Sequence, residues 1–180
     1  MRIIGGRLKG RKLHAPAGRG LRPTADKVRE ALFDILSERI VGTSFLDLYA
    51  GTGAVGIEAL SRGAKTADFV EQNKTHLRYL RTNLHACGLN NHVSVYAGSV
   101  SDFLKRMKHA YQLLFFDPPY GSREIEKWLP RLRQGDMILR GGTLIIEHDV
   151  KRSLPQDSKE LRFVKTYRYG ETALSFYGKS

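Results

Sequence analysis

Residues 45–56 read FLDLYAGTGAVG, an apolar run that leads into a glycine-rich turn and then into small and apolar residues. Such a run predicts a buried strand, and Gly51, Gly53 and Gly56 match the GxGxxG pattern that joins a strand to a helix in α/β folds. The first two glycines permit a tight turn and close approach of the backbone to a ligand, whereas the third lets helix and strand pack closely. The stretch therefore predicts an α/β fold that binds a ligand at the end of this strand.

Strand and helix patterns alternate along the rest of the chain. Helices are predicted over 24–40, 57–60, 75–86, 102–107 and 128–132, and strands over 45–50, 67–70, 93–97, 113–116, 143–147, 163–169 and 173–177. The last two strands would form a hairpin about Gly170 and Glu171. This alternation predicts a mainly parallel, seven-stranded sheet with helices on both faces, whose ligands bind beyond the carboxyl ends of the strands.

Positive charge is concentrated at the amino end of the chain. The 180 residues carry a formal charge of +12, and residues 1–29 hold nine Lys or Arg against one Asp, which is an excess of nine minus one, or +8. A local excess of cations attracts polyanions and gains free energy by releasing their counterions, so we expect a nucleic acid as the partner. The glycines of this segment disfavour a membrane-surface helix. The predicted organisation is a basic segment over 1–23 followed by one domain over 24–180.

The remaining composition predicts few other sites. The single cysteine, Cys87, cannot form an intramolecular disulfide, and no leader or long apolar run is recognised, so we expect a reduced, cytoplasmic, monomeric protein without a membrane segment. The six histidines show no pair at metal-ligand spacing, and no metal site is expected. Arg78 and Arg81, on the predicted helix 75–86, are interpreted as solvated.

Two acids accompany the glycine turn. Glu71 lies twenty residues beyond Gly51 at the end of the second predicted strand, where a carboxylate can accept hydrogen bonds from ribose hydroxyls. Asp47 immediately precedes the turn, where it would repel the pyrophosphate of a dinucleotide. It suits S-adenosylmethionine, which carries an ammonium and a sulfonium in place of phosphate. The alternative is that Asp47 only caps local backbone groups.

The tetrad Asp117-Pro118-Pro119-Tyr120 directly follows the very apolar fourth strand. An exocyclic amino group of a base is a poor nucleophile, because its lone pair is delocalised into the ring. Hydrogen bonds from its two N–H groups to the Asp117 carboxylate and the Pro118 carbonyl would favour a more tetrahedral nitrogen whose lone pair points at the sulfonium methyl. Tyr120 would stack on the base. The tetrad therefore predicts methylation of a base amino group.

Taken together, these motifs and several other segments make the chain resemble, over nearly its whole length, the RsmD family of bacterial 16S ribosomal RNA guanine-N2 methyltransferases. The resemblance rests on residues 2–11 (RIIGGRLKGR), 22–24 (RPT), 27–30 (KVRE), 47–64 (DLYAGTGAVGIEALSRGA), 117–120 (DPPY) and 169–177 (YGETALSFY). It implies a Rossmann-like class I methyltransferase that uses S-adenosylmethionine. It also implies that the substrate is a guanine in small-subunit RNA, within the subunit or an assembly intermediate.

The resemblance assigns roles to particular residues. Cofactor binding falls to Asp47, Gly51, Gly53, Gly56 and Glu71, and the base is held by the tetrad 117–120. Where related enzymes often place an acid after the third strand, this chain has Gly98-Ser99-Val100, so Ser99 and the Val100 amide are expected to contact the adenine instead. The basic amino-terminal residues are the candidate RNA-binding groups: Arg2, Arg7, Lys9, Arg11, Arg22, Lys27 and Arg29.

Two alternatives remain open. An adenine-amino DNA methyltransferase would use the same tetrad chemistry, although 180 residues leave no room for a separate target-recognition region. An RNA-binding assembly factor with a vestigial cofactor fold is the second alternative, and the intact glycines and Asp117 count against it.

Overall fold

The computed structural model describes residues 1–16, 26–132, 134, 136–156 and 160–180. The helices are α1 (Asp26–Leu36), α2 (Ala54–Ser61), α3 (Lys74–Ala86), α4 (Val100–Arg106) and α5 (Glu124–Leu132), and the strands are β1 (Ser44–Leu48), β2 (Thr66–Glu71), β3 (Val93–Ala97), β4 (Tyr111–Phe116), β5 (Ile138–Asp149), β6 (Leu161–Tyr169) and β7 (Thr172–Lys179). The chain divides into two compact units, residues 1–106 and 107–180. The predicted boundary between residues 23 and 24 lies outside the described residues, and the single-domain organisation stays a prediction.

In the first unit, three parallel strands are ordered β3-β2-β1. Their side chains are largely apolar, and Leu46, Phe69 and Val70 are fully buried. Parallel strands end at the same edge, so the turn after β1, the acid that ends β2 and the residues after β3 lie at one end of this unit.

In the second unit, the strands are ordered β4-β5-β7-β6. Strand β4 runs parallel to β5, while β7 is antiparallel to both β5 and β6. Consecutive residues Leu113–Phe116 of β4 are all buried, so this strand is covered on both faces as its apolar sequence predicts. The predicted seven strands and the closing hairpin are therefore confirmed, whereas helices on both faces stay a prediction.

Most elements differ from their predicted bounds by a few residues, and α5 begins four residues before the predicted 128–132. The backbone explains two of these differences. The helix predicted over 24–40 is α-helical only to Leu36, because Ser37 takes a φ of 46° and a 3₁₀ helix, Ser37–Ile40, follows. Strand β5 begins five residues before the predicted 143–147. Gly141, with a φ of 75°, and a register shift opposite Tyr111 and Leu113 allow pairing to continue through this irregular start.

Residues 1–14 form an N-terminal hairpin that is anchored on α2. Arg2 bridges Lys12 in antiparallel fashion, and the Ile3 amide donates to the Arg11 carbonyl at 2.9 Å. The buried Glu58 of α2 accepts the amides of residues 4 and 5 at 2.8 and 2.7 Å. Ser61 adds a further contact, since its hydroxyl donates to the Gly5 carbonyl at 2.6 Å. The hairpin is thus built onto the helix that follows the glycine turn.

Among the helices in the part of the chain that the structure describes, none has the length and apolar character needed to cross a membrane.

Candidate active site

The turn after β1 takes a conformation that needs its glycines. Tyr49, Gly51 and Gly53 all have positive φ values, of 65°, 57° and 82°. A Cβ at Gly56 would overlap the ring of Phe69 in β2, which confirms that the third glycine is needed for close packing of helix on strand. The left-handed Tyr49, which sequence reasoning missed, marks strain of about 1 kcal/mol or more at this turn.

Asp47 caps helix α2. Its Oδ2 accepts the Gly56 amide at 2.9 Å, and only 2% of the residue is exposed. Burial raises the pKa of Asp47 to about 7; the Gly56 hydrogen bond opposes this rise and the nearby negative charge of Glu71 adds to it. The capping role, considered above as an alternative, is therefore present in the structure. Direct contact of Asp47 with the cofactor stays a prediction.

Glu71 is held at the end of β2 by two backbone amides. Its Oε2 accepts from Gly51 at 2.8 Å and its Oε1 accepts from Asn73 at 2.7 Å. Each carboxylate oxygen has a further lone pair, so both can still accept a hydroxyl proton. A carboxylate held in this orientation beside a glycine turn can accept hydrogen bonds from both hydroxyls of a nucleoside ribose. The neighbouring Asp47 carboxyl would suit a cationic group of the ligand.

Ser99 directly precedes helix α4 and caps its first turn. Its hydroxyl oxygen accepts the Asp102 amide at 3.0 Å and donates to the Asp102 carboxylate at 2.8 Å. The bond from the Asp102 amide to the Ser99 hydroxyl is one half of a capping box, and the Ser-x-x-Asp spacing could have predicted it. Sequence reasoning thus missed that Asp102 is brought back to the end of β3. Adenine contacts by Ser99 and the Val100 amide stay a prediction.

The tetrad follows β4 as predicted. Asp117 is half-buried, Pro118 is buried, and Pro119 and Tyr120 are exposed. The Pro119 carbonyl accepts the Ser122 amide at 3.1 Å and so belongs to the turn itself. Among the described residues, no donor is bonded to the Pro118 carbonyl, which is the acceptor that the predicted chemistry requires.

Tyr120 is anchored by its hydroxyl. The hydroxyl lies 3.0 Å from Thr172 Oγ1 at the start of β7 and 3.4 Å from Glu147 Oε1 in β5. The residue is 38% exposed although its hydroxyl is fixed. A fixed, accessible ring is suited to stacking on a flat group. Thr172 and Glu147 were not identified from the sequence, because they lie far along the chain from the tetrad.

The candidate RNA-binding residues divide into three groups. Exposed on the surface are Arg2, Arg7, Lys9, Arg11 and Lys27. Arg22 lies outside the described residues. The prediction for Arg29 is wrong, because this residue is 0% exposed: its guanidinium is 3.1 Å from Asp26 and 3.6 Å from Glu58, and it donates to the Arg2 carbonyl at 2.6 Å. Arg29 therefore supports the hairpin from the protein interior and is not accessible to RNA.

Comparisons with known proteins show which family the chain belongs to. The family model described as "Conserved hypothetical protein 95" matches residues 1–178. The chain belongs to this family, the RsmD family. The Bacillus subtilis "Putative rRNA methyltransferase YlbH" is 34% identical over 99% of both chains. The "Ribosomal RNA small subunit methyltransferase D" of Escherichia coli K12 is 37% identical over 86% of this chain and 78% of its own length.

Solved structures agree with this membership. The "Putative methyltransferase yhhF from Escherichia coli" has a TM-score of 0.89 and 32% identity, and the alignment covers 100% of this chain and 98% of that one. An RNA methyltransferase from Salinibacter ruber in complex with S-adenosyl-L-homocysteine shares the fold, with a TM-score of 0.65 and 16% identity over 87% of this chain and 93% of that one. This RsmD-family chain therefore has the α/β fold of S-adenosylmethionine-dependent methyltransferases.

Proposed function

We propose that this chain transfers a methyl group from S-adenosylmethionine to the exocyclic N2 amino group of a guanine in 16S ribosomal RNA. The observation that carries the proposal is the tetrad at the end of β4: no donor among the described residues is bonded to the Pro118 carbonyl, and the Tyr120 hydroxyl is held by Thr172. The names of the relatives support ribosomal RNA as the substrate. We further infer a Rossmann-like class I architecture with a basic N-terminal extension, acting as a monomer in the cytoplasm on the small subunit or its assembly intermediate.

The residues of the first unit suit the cofactor. Glu71 would accept the ribose hydroxyls on the lone pairs that its two backbone donors leave free. Gly51 and Gly53 allow the backbone of the turn to approach the ligand closely, while the carboxyl of Asp47 would stabilise positive charge. When bound, the cofactor supplies an activated methyl on a sulfonium, so the protein has mainly to position the nucleophile.

The residues of the second unit suit the base. The guanine amino group would donate one N–H to the Asp117 carboxylate and the other to the Pro118 carbonyl, which directs the nitrogen lone pair away from the ring. When the methyl group is transferred to this nitrogen, the amino group would lose one proton, which Asp117 or water would accept. Tyr120 would keep the base plane fixed during this displacement.

Labelled methyl transfer tests this proposal. Small subunits reconstituted from unmodified RNA are incubated with the protein and labelled S-adenosylmethionine, and the nucleosides are then separated. We expect the label on N2 of guanine. Label in adenine of duplex DNA would indicate the DNA methyltransferase alternative, and RNA binding without cofactor binding would indicate an assembly factor.

A pair of variants makes the test specific for the tetrad. Asp117→Asn should lower the transfer rate by at least about a hundredfold, because the carboxylate acceptor is lost, while RNA and cofactor affinities stay unchanged. Asp149→Asn is the matched control, since Asp149 also ends a strand of this unit but its side chain accepts the local Lys151 amide, at 2.8 Å. Equal losses in both variants would contradict the role of Asp117.

A further inference from the structure

The outer face of α3 carries a row of cations. Lys74, Arg78 and Arg81 follow one another at spacings of four and three residues, so they lie on one side of the helix over about 10 Å. All three side chains are exposed. The opposite side of the helix packs into the first unit through Leu77, Leu80, Asn83 and Leu84. We call Lys74, Arg78 and Arg81 the basic face of α3.

The basic face is not balanced by acids. Residues 72–101 contain no Asp or Glu, and within the described part of the chain none of the three cations forms an ion pair with a carboxylate. Like charges one turn apart destabilise a helix by about 0.2–0.5 kcal/mol for each pair, and Lys74 also opposes the positive end of the helix dipole. An external polyanion would remove this repulsion, whereas solvent only screens it.

The N-terminal hairpin is fastened to the same helix. Asn83 is fully buried and pairs with both backbone groups of His14: it accepts the His14 amide at 2.7 Å and donates to the His14 carbonyl at 2.9 Å. At the end of the helix, the Arg11 guanidinium donates to the Ala86 carbonyl at 3.0 Å. The exposed cations of the hairpin and those of α3 are therefore held at fixed positions on one unit.

We propose that the basic face of α3 and the N-terminal hairpin form one surface that binds the phosphate backbone of the substrate RNA. This inference rests on the proposed function and extends it, since it gives Arg78 and Arg81 a role in binding RNA rather than in solubility alone. The rigid attachment through Asn83 orders this surface before RNA arrives, so binding does not require the helix and hairpin to be brought together.

Two triple variants with the same change in charge test the proposal. The first replaces Lys74, Arg78 and Arg81 by Gln. The control replaces Lys65, Arg140 and Arg162 by Gln: these exposed residues lie just before β2, near the start of β5, and in β6 opposite Gly178, away from the carboxyl ends of β2 and β5. Both variants lose three positive charges, so a general effect of net charge is the same in each.

RNA binding is measured against salt concentration with an unmodified small-subunit RNA transcript and with subunits reconstituted from it. Because each phosphate contact contributes roughly 0.7–0.9 to the slope of log affinity against log salt, loss of three contacts should reduce the slope by about 2 and weaken binding about a hundredfold near 0.1 M salt. We expect this in the α3 variant only, with a higher KM for RNA and an unchanged kcat and cofactor affinity.

The possible outcomes separate the inference from the proposed function. Equal RNA affinity in the α3 and control variants, with normal methyl transfer to guanine by the wild type, would overturn the inference and leave the function standing. A loss confined to reconstituted subunits, with binding to bare RNA unchanged, would show that the basic face binds a protein and would equally overturn it. A wild type that transfers no methyl to RNA would refute the proposed function itself.

Discussion

Replacing Asp47 by Asn should change how the stability of the protein depends on pH. Burial raises the pKa of Asp47 to about 7 from 3.8 in an exposed chain. A carboxyl with a raised pKa in the folded state stabilises the fold fully below its unfolded pKa, and this contribution is lost as pH rises through the folded pKa. Asn keeps an oxygen that can accept the Gly56 amide, but it does not titrate.

The two pKa values set the size of the effect. Each pH unit between them corresponds to about 1.4 kcal/mol, so from roughly pH 5 to pH 8 the contribution of Asp47 to the free energy of unfolding should fall by about 2.5 kcal/mol. The fall should be steepest below pH 7 and should level off above it. The Asp47→Asn variant lacks this component, and it should gain stability relative to the wild type as pH rises.

Urea unfolding followed by circular dichroism at a series of pH values measures this difference directly. Subtraction of the two proteins removes the contributions of histidines and other groups that titrate in both. A difference that stays constant within about 0.5 kcal/mol from pH 5 to pH 8 would show that Asp47 is ionised throughout, and it would refute the claim that burial dominates its pKa. The carbon-13 chemical shift of the Asp47 side-chain carboxyl, followed against pH, provides a second readout.

Two further substitutions test how the hairpin and the tyrosine ring are held. Glu58→Gln should lower the free energy of unfolding by about 3 kcal/mol in urea, because the buried Arg29 loses its carboxylate, whereas Glu126→Gln at an exposed position should change it by less than about 1 kcal/mol; similar losses would contradict the buried pair. Tyr120→Phe should lower kcat/KM for RNA by up to about tenfold at unchanged cofactor affinity, since the anchoring hydrogen bond contributes about 1 kcal/mol. If Tyr120→Phe and Thr172→Val are fully additive when combined, the hydroxyl is not anchored on Thr172.

Local patterns predicted the elements and the strand-end motifs because each depends on residues that are neighbours in the chain. The glycine turn, the acid at the end of β2 and the tetrad were all found in this way. Arg29 was assigned to the RNA surface because a count of charges along the chain contains no information on burial. Its carboxylate partner, Glu58, is 29 residues away and was hidden within the helix that follows the glycine turn. Contacts across 69 residues, such as Asn83 with His14, leave no signal in a single sequence.

Helix α2 links the two binding roles that we propose for the first unit. Its amino end is capped by Asp47 and follows the glycine turn, while its Glu58 carries the hairpin. Asn83 adds a second connection, because its amide also donates to the Thr52 carbonyl within the glycine turn at 3.0 Å. Substitutions inside this buried network should therefore alter cofactor and RNA affinity together, since both surfaces rest on the same backbone. Substitutions on the basic face of α3 change only the outer surface, so they should lower RNA affinity and leave cofactor affinity unchanged. A loss of RNA affinity alone therefore indicates a binding surface, whereas a loss of both affinities indicates the framework that supports it.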